Sequence, residues 1–359
     1  MESVGKPQET FFEKRSEYID FLKALAIFFV VLGHAPLCHH EIKQFIYSFH
    51  MPVFFAVYGM TYCSARHEET GFLSVSFVKK KIRRLMLPAF VWALAYSIVN
   101  SAIYGTFHPK TILYILYGSQ SSFRMAHSLS SIWFLPVMFL AVIFVEYLME
   151  RMSRISGNIL RYNTMILLLI CILLALSFMP PPMVNGYPWN INVVPMAVAC
   201  ILMGYLLERI SSFWKNSLTW SFMIAILSMI LTYVLCKCNL KYIPLHNADM
   251  ASGTYGNYFL YMLNVLAGIL MMMSLSYIVS QHIHSRIISF VGMNTLAIFL
   301  MHKPLIRGLC NMSIREGWDS WILSVVYSVI VVLFCALLAY GINIICPEIV
   351  GGNRHNKKL

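Results

Sequence analysis

A chain of 359 residues that is 59% hydrophobic and 12% charged excludes an ordinary soluble domain, where about a quarter of the residues carry charge. Its net charge of +12 does not mark a nucleic-acid binder, because the basic residues are strung in short clusters between apolar blocks. Nine cysteines without a CxxC pair give no zinc-finger pattern, Cys236 and Cys238 being too close together, and most read as small apolar fillers.

In chain order the apolar blocks predict ten spanning helices, at about 18–37, 44–64, 84–105, 132–149, 164–180, 191–207, 218–236, 258–280, 287–305 and 321–346. Each is near the ~20 residues that carry a helix across ~30 Å of hydrocarbon. The expected fold is an all-α polytopic membrane protein. One transmembrane domain, 18–346, lies between a cytoplasmic segment, 1–17, and a cytoplasmic tail, 347–359. The first block carries charges and lacks a small-residue cleavage site, so it is not a signal peptide. Ten spans put both ends on one side; with the N-terminus inside, the inner segments hold 18 of the 27 Lys and Arg and the outer ones 8. That asymmetry predicts N-in and C-in, in a plasma membrane.

The first span, "YIDFLKALAIFFVVLGHAP", is apolar except for Asp20, Lys23 and His34. Lys23 and His34 are eleven residues apart, close to three helical turns, so they share a face, and Asp20 lies within about 60° of it. A polar stripe on a greasy helix must face the bundle interior or a wet cavity. From Tyr18, Lys23 is ~8 Å deep and His34 ~24 Å deep. The bland alternatives are an interhelical hydrogen bond for His34 and an interfacial ion pair for Asp20 with Lys23.

In the second block, "SFHMPVFF" places Pro52 early, tolerable only where another group satisfies the carbonyl that proline leaves free. The run "KKKIRR" at 79–84 is the densest basic stretch and reads either as an anchor at anionic headgroups or as a dock for phosphates. Further along, Glu146 ends the fourth span, and Asn294 starts the ninth, where it could cap a helix. His302 in "FLMHKPL", like His50, is followed by proline within two residues. With N-in topology His34, His50 and His302 converge on the outer half of the bundle. They could line a pocket or, with His39 and His40, hold a metal; no carboxylate or Cys has ligand spacing with them, so no metal is expected.

"IDFLKALAIFFVVLGH" and "FIYSFHMPVFFAVYGM" resemble the start of the acyltransferase type 3 family of membrane acyltransferases, most nearly its fucose-4-O-acetylase-like branch. "KKKIRRLMLPAFVWAL", "SIWFLPVMFL" and "FVGMNTLAIFLMHKPL" are similar to later pieces, in the family's order from 18 to 305. The resemblance implies transfer of an acyl group, usually acetyl, from cytoplasmic acyl-CoA to a sugar hydroxyl of a surface glycan or its lipid-linked precursor. Acetyl-CoA would be a donor substrate rather than a bound cofactor; the partners are acyl-CoA, a sugar or polysaccharide acceptor and membrane lipids, with no nucleic acid. The family's paired basic residue and histidine fall on Lys23 and His34, and its basic motif on the run containing Lys80, Lys81, Arg83 and Arg84. Two positions depart from the pattern: Lys23 stands where many members have Arg, and Tyr58-Gly59 where many have Ser-Gly.

Such a transfer needs a base, because a sugar hydroxyl is a poor nucleophile at neutral pH. His34 is the expected general base, an acyl-histidine being less favoured. Lys23 and Asp20 complete the expected catalytic group, with Asp20 compensating Lys23. The acyl-CoA site is expected at Lys80, Lys81, Arg83 and Arg84, and the acceptor pocket among His50, Tyr58, Trp133, Asn294 and His302. The alternative is a proton-coupled transporter or exporter, which would more often show internal repeats.

Overall fold

A helix begins at Glu17 because acidic residues in the first turn suit the positive end of the helix dipole. The computed structural model describes residues 17–65, 74–105, 109–156, 158–178, 186–243 and 247–352, and its helices follow the apolar blocks closely. Most of the expected 1–17 segment and the tail from 353 onward lie outside the described residues. In order, the helices are α1 (Glu17–His34), α2 (His40–Tyr47), α3 (His50–Ala65), α4 (Val75–Lys81), α5 (Leu87–Tyr104), α6 (Thr111–Tyr117), α7 (Gln120–Met125) and α8 (Phe134–Ile155). There follow α9 (Ile159–Leu176), α10 (Val194–Ile210), α11 (Ser212–Lys215), α12 (Leu218–Leu240), α13 (Tyr258–His282), α14 (Arg286–Met293), α15 (Thr295–Arg315) and α16 (Trp321–Ile345).

The protein is an all-α membrane protein. Among the described residues, seven helical stretches are long and apolar enough to cross a bilayer, and eight if the bent pair α14–α15 counts as one span. This is fewer than ten for identifiable reasons. Helix α1 carries three charged residues, and α3 has 16 residues. The expected second span divides into α2 and α3, and the ninth bends by 84° at Asn294. Large apolar side chains such as Leu167 and Ile172 on α9, Leu227 and Ile230 on α12 and Leu337 on α16 are exposed, as lipid-facing surfaces require.

Helix α1 packs against α3, α13, α14, α15 and α16, with Leu22, Ile27, Val30 and Val31 fully buried. Its polar stripe therefore faces protein: Asp20 is buried, and Lys23 and His34 are half-buried. Helices α3 and α10 touch backbone to backbone. A Cβ on Gly59 would sit 1.9 Å from the Ile201 carbonyl oxygen, and one on Gly204 would sit 2.1 Å from that of Ala56. Only glycine permits this crossing, which fixes the rotation of α3 and hence the direction of Tyr58.

Two prolines shape the core. Pro52 stands in the first turn of α3, where its missing N–H costs no helical bond, and the Ser48 carbonyl just outside the helix accepts from Asn264 Nδ2 of α13 at 3.3 Å. Pro304, inside α15, frees the Leu300 carbonyl, which accepts from the Tyr96 hydroxyl of α5 at 3.0 Å. Side chains of other helices thus meet the condition that bilayer burial imposes.

Candidate functional site

Among the described residues, two cavities are lined by residues expected to act. The first, about 510 Å³, is lined by Lys23, Tyr58, Lys81 and Arg84 over walls of Phe54, Leu135 and Met138. A π-helical turn over Ile82–Met86 joins α4 to α5. Such turns shift the side chains that follow around the axis and recur at functional sites. Lys81, half-buried, and Arg84, exposed at the rim, line this cavity, while the exposed Lys80 and Arg83 are not among its lining. Four residues expected to act together are thereby split into two pairs.

Tyr58 was expected in the acceptor pocket with the histidines, but it lies in this basic cavity. Lys81 Nζ donates to its hydroxyl at 3.1 Å and stands 4.6 Å from its ring centroid. The hydroxyl in turn donates to Glu146 Oε1 at 3.3 Å. Glu146 thus joins the site through Tyr58, a link its place at a span end did not disclose. Asp20 lies 3.7 Å from Lys23, as its compensating role requires, yet it lines neither cavity.

The second cavity, about 550 Å³, is lined by His34, Tyr47, His50 and Trp133, together with Arg124, Lys303, Arg307 and Asp249. The three histidines come together, although His302 lies behind His34 and is not among the residues lining the cavity. The rings of His34 and His302 stack at 5.2 Å, and Tyr47 bridges by packing on His50 at 4.9 Å and meeting His34 Nδ1 at 3.3 Å. Asn294 is elsewhere: it occupies the break between α14 and α15, where its Nδ2 donates to the Phe290 carbonyl at 2.8 Å. No side-chain cap bond forms at the start of α15. Among the described residues, no three His, Cys, Asp or Glu are grouped to hold a metal ion.

Hydrogen bonding separates the three rings chemically. A carbonyl oxygen can only accept, so a neutral ring nitrogen facing one must carry the proton. His50 Nδ1 faces the Ile46 carbonyl at 2.8 Å, and His302 Nδ1 faces those of Phe299 and Ile298 at 2.8 and 3.1 Å. Both tautomers are thereby fixed. His34 instead faces the Tyr47 hydroxyl, which can donate or accept, so its tautomer can change without breaking the bond.

Phe299 belongs to the walls of both cavities and packs on Phe134 at 5.4 Å and on His302 at 5.9 Å. The polar stripe of α1 therefore opens on two chambers, with Lys23 in one and His34 in the other. Sequence reasoning also missed Lys303, Arg307, Arg124, Asp249 and Tyr47. A signal existed for the first two, because cations four residues apart near the end of an apolar span share a helical face. Arg124 and Asp249 sit on connections, where only the fold brings them in.

Loops close the rim of the second cavity. His127, in its wall, adopts φ 54°, an uncommon conformation for a residue with a side chain, and Asn100 Nδ2 holds its carbonyl at 2.6 Å. Asn190, at φ 50°, accepts from the Gln120 N–H at 2.8 Å and donates to the Ala251 carbonyl at 2.6 Å. These bonds tie α7 to the segment bearing Asp249.

A family model described as an acyltransferase domain matches residues 16–340, nearly the whole chain. No curated protein matches it.

Proposed function

The chain belongs to the acyltransferase type 3 family, membrane acyltransferases that generally act on carbohydrates, and from that membership we propose an acyl-CoA-dependent O-acyltransferase, most simply an O-acetyltransferase, of the plasma membrane. The donor enters the Lys81 cavity from the cytoplasm, and the acceptor, a sugar hydroxyl of a surface or lipid-linked glycan, enters the His34 cavity from the other face. The observation that carries this reading is the shared wall at Phe299, where a basic chamber with apolar flanks meets a polar chamber with a histidine.

Each chamber suits its role. Lys81, Arg84 and Lys23 offer charge-assisted hydrogen bonds to the phosphates of coenzyme A, Arg84 as a planar fork and the lysines as point charges. The apolar flanks accept the pantetheine arm. In the second chamber His34 removes the proton of the acceptor hydroxyl as its oxygen attacks the thioester carbonyl. The tetrahedral adduct collapses, the carbon–sulfur bond breaks, and the departing thiolate takes up the proton held by His34. The Tyr47 hydroxyl keeps the imidazole oriented through both transfers. Side-chain movement of Phe299 brings the thioester and the alcohol together.

Membranes containing the protein, supplied with labelled acetyl-CoA and a glycan acceptor, should move label into the glycan, and His34→Ala should stop it. Surface glycans compared by mass spectrometry with and without the protein should differ by an acetyl-sized mass. Unchanged glycans, together with solute uptake into sealed vesicles, would replace the enzyme by a transporter.

A further inference from the structure

The second cavity carries more positive charge than an ordinary sugar needs. Lys303 is 6% exposed, yet its Nζ donates only to Ser130 Oγ, at 3.0 Å. Arg307, one helical turn further along α15, and Arg124 of α7 line the same cavity and are exposed at its mouth. Among the described residues none of the three cations is in an ion pair. The carboxylate present, Asp249, is engaged by the Ala251 N–H at 3.0 Å and Gln120 Nε2 at 3.4 Å. Three cations against one carboxylate leave the cavity wall with excess positive charge, and the cost of burying Lys303 there is relieved by an anion that enters. The wall beside Lys303 adds a second sign of an absent guest. Ser128 and Ser131 line the same cavity, and among the described residues their hydroxyls are buried without a hydrogen-bond partner. Buried polar groups are normally satisfied, so two unpaired hydroxyls in the wall that holds Lys303 suit a guest with acceptor oxygens toward which they can turn.

We propose that the acceptor is anionic, a glycan bearing a carboxylate or phosphate that Lys303 binds with Ser128 and Ser131, while Arg124 and Arg307 draw it into the mouth. This inference rests on the acceptor entering the His34 cavity. It names the substrate class: acidic sugars, or sugars with a phosphate ester, in preference to neutral ones. Field focusing at the mouth raises the local concentration of such molecules. The anion also locates the sugar, leaving the hydroxyl near His34 to react.

The test measures binding to the full chain in nanodiscs without acyl donor, so that it is independent of transfer. Three probes are titrated: galacturonate trisaccharide, the matched galactose trisaccharide, and that trisaccharide carrying a phosphate monoester. At least one acid should bind about tenfold or more tightly than the neutral probe, the scale of one charged hydrogen bond. Which acid wins identifies the group, and the advantage should shrink as salt is raised. Lys303→Met should erase the preference and Lys303→Arg should keep most of it. Arg307→Gln, at an exposed position, should weaken it should Lys303→Met fail to fold. Equal binding of all three probes overturns the proposal, as does a preference that survives both neutralising substitutions. Acid preference without any acetyl transfer from acetyl-CoA would instead sink the donor assignment and leave this one standing.

Discussion

The imidazoles of His34 and His302 lie face to face, centroids 5.2 Å apart and planes inclined by 26°. His302 is anchored through Nδ1 to backbone carbonyls of its own helix, so it serves as a fixed plate against which His34 rests. The two rings are not interchangeable. His34→Ala should reduce kcat by about 10²–10⁴-fold, the range lost with a general base. His302→Phe keeps a flat ring in the stack and should retain most of the turnover, though Phe lacks the Nδ1 anchor. Comparing the two kcat values under saturating donor checks the assignment, and equal losses would remove His34 from its special place.

Tyr47 supplies the side-chain partner seen for His34 Nδ1. Tyr47→Phe deletes one hydroxyl and keeps the packing on His50. The expected result is roughly a tenfold fall in kcat, as one hydrogen bond of about 1–1.5 kcal/mol allows, with acceptor KM little changed. A rise in KM with kcat intact would mean that Tyr47 binds the acceptor instead of orienting the base.

The basic run should behave as two classes. Lys81→Met and Arg84→Gln remove cations from the cavity wall and should raise the KM for acetyl-CoA about tenfold or more. Lys80→Met and Arg83→Gln touch exposed cations that do not line the cavity and should change it by less than about threefold. Steady-state kinetics at fixed ionic strength separates them. A uniform response across all four would restore the headgroup-anchor reading.

Stability should depend on the two carbonyls, of Leu300 and Ser48, that side chains of other helices satisfy. Tyr96→Phe leaves the Leu300 carbonyl without its donor, and Asn264→Leu does the same to that of Ser48. Each should cost about 1–3 kcal/mol, read as a lower unfolding midpoint in detergent. Substituting Gly59 with leucine should do more damage, since the new Cβ meets a carbonyl oxygen on α10 rather than a movable side chain.

Much of this was legible in the chain. Hydrophobic blocks gave the helices, because length and apolarity are what a bilayer selects. The stripe on α1 pointed inward, because a charge facing lipid is too costly to keep. His34, His50 and His302 could be expected together, because each stands near the end of an apolar block, and they do meet. What could not be read depended on rotation and on connections. Tyr58 faces Lys81 because the glycine crossing turns α3, and nothing local to Tyr58 encodes that. Asp249 reaches the second cavity through a loop whose path is set by Asn190. The break at Asn294 was hidden because apolar residues continue on both sides of it.

One aromatic ring in two walls has an electrical meaning as well. A water-filled bore through the bilayer would let protons run down the gradient that powers the cell. Both cavities end at Phe299, so on the proposed reading, with one cavity open to each face, the ring would act as an insulator between two compartments. Chemistry across a membrane then asks only that the insulator yield to an acyl chain, which carries no charge and no water with it.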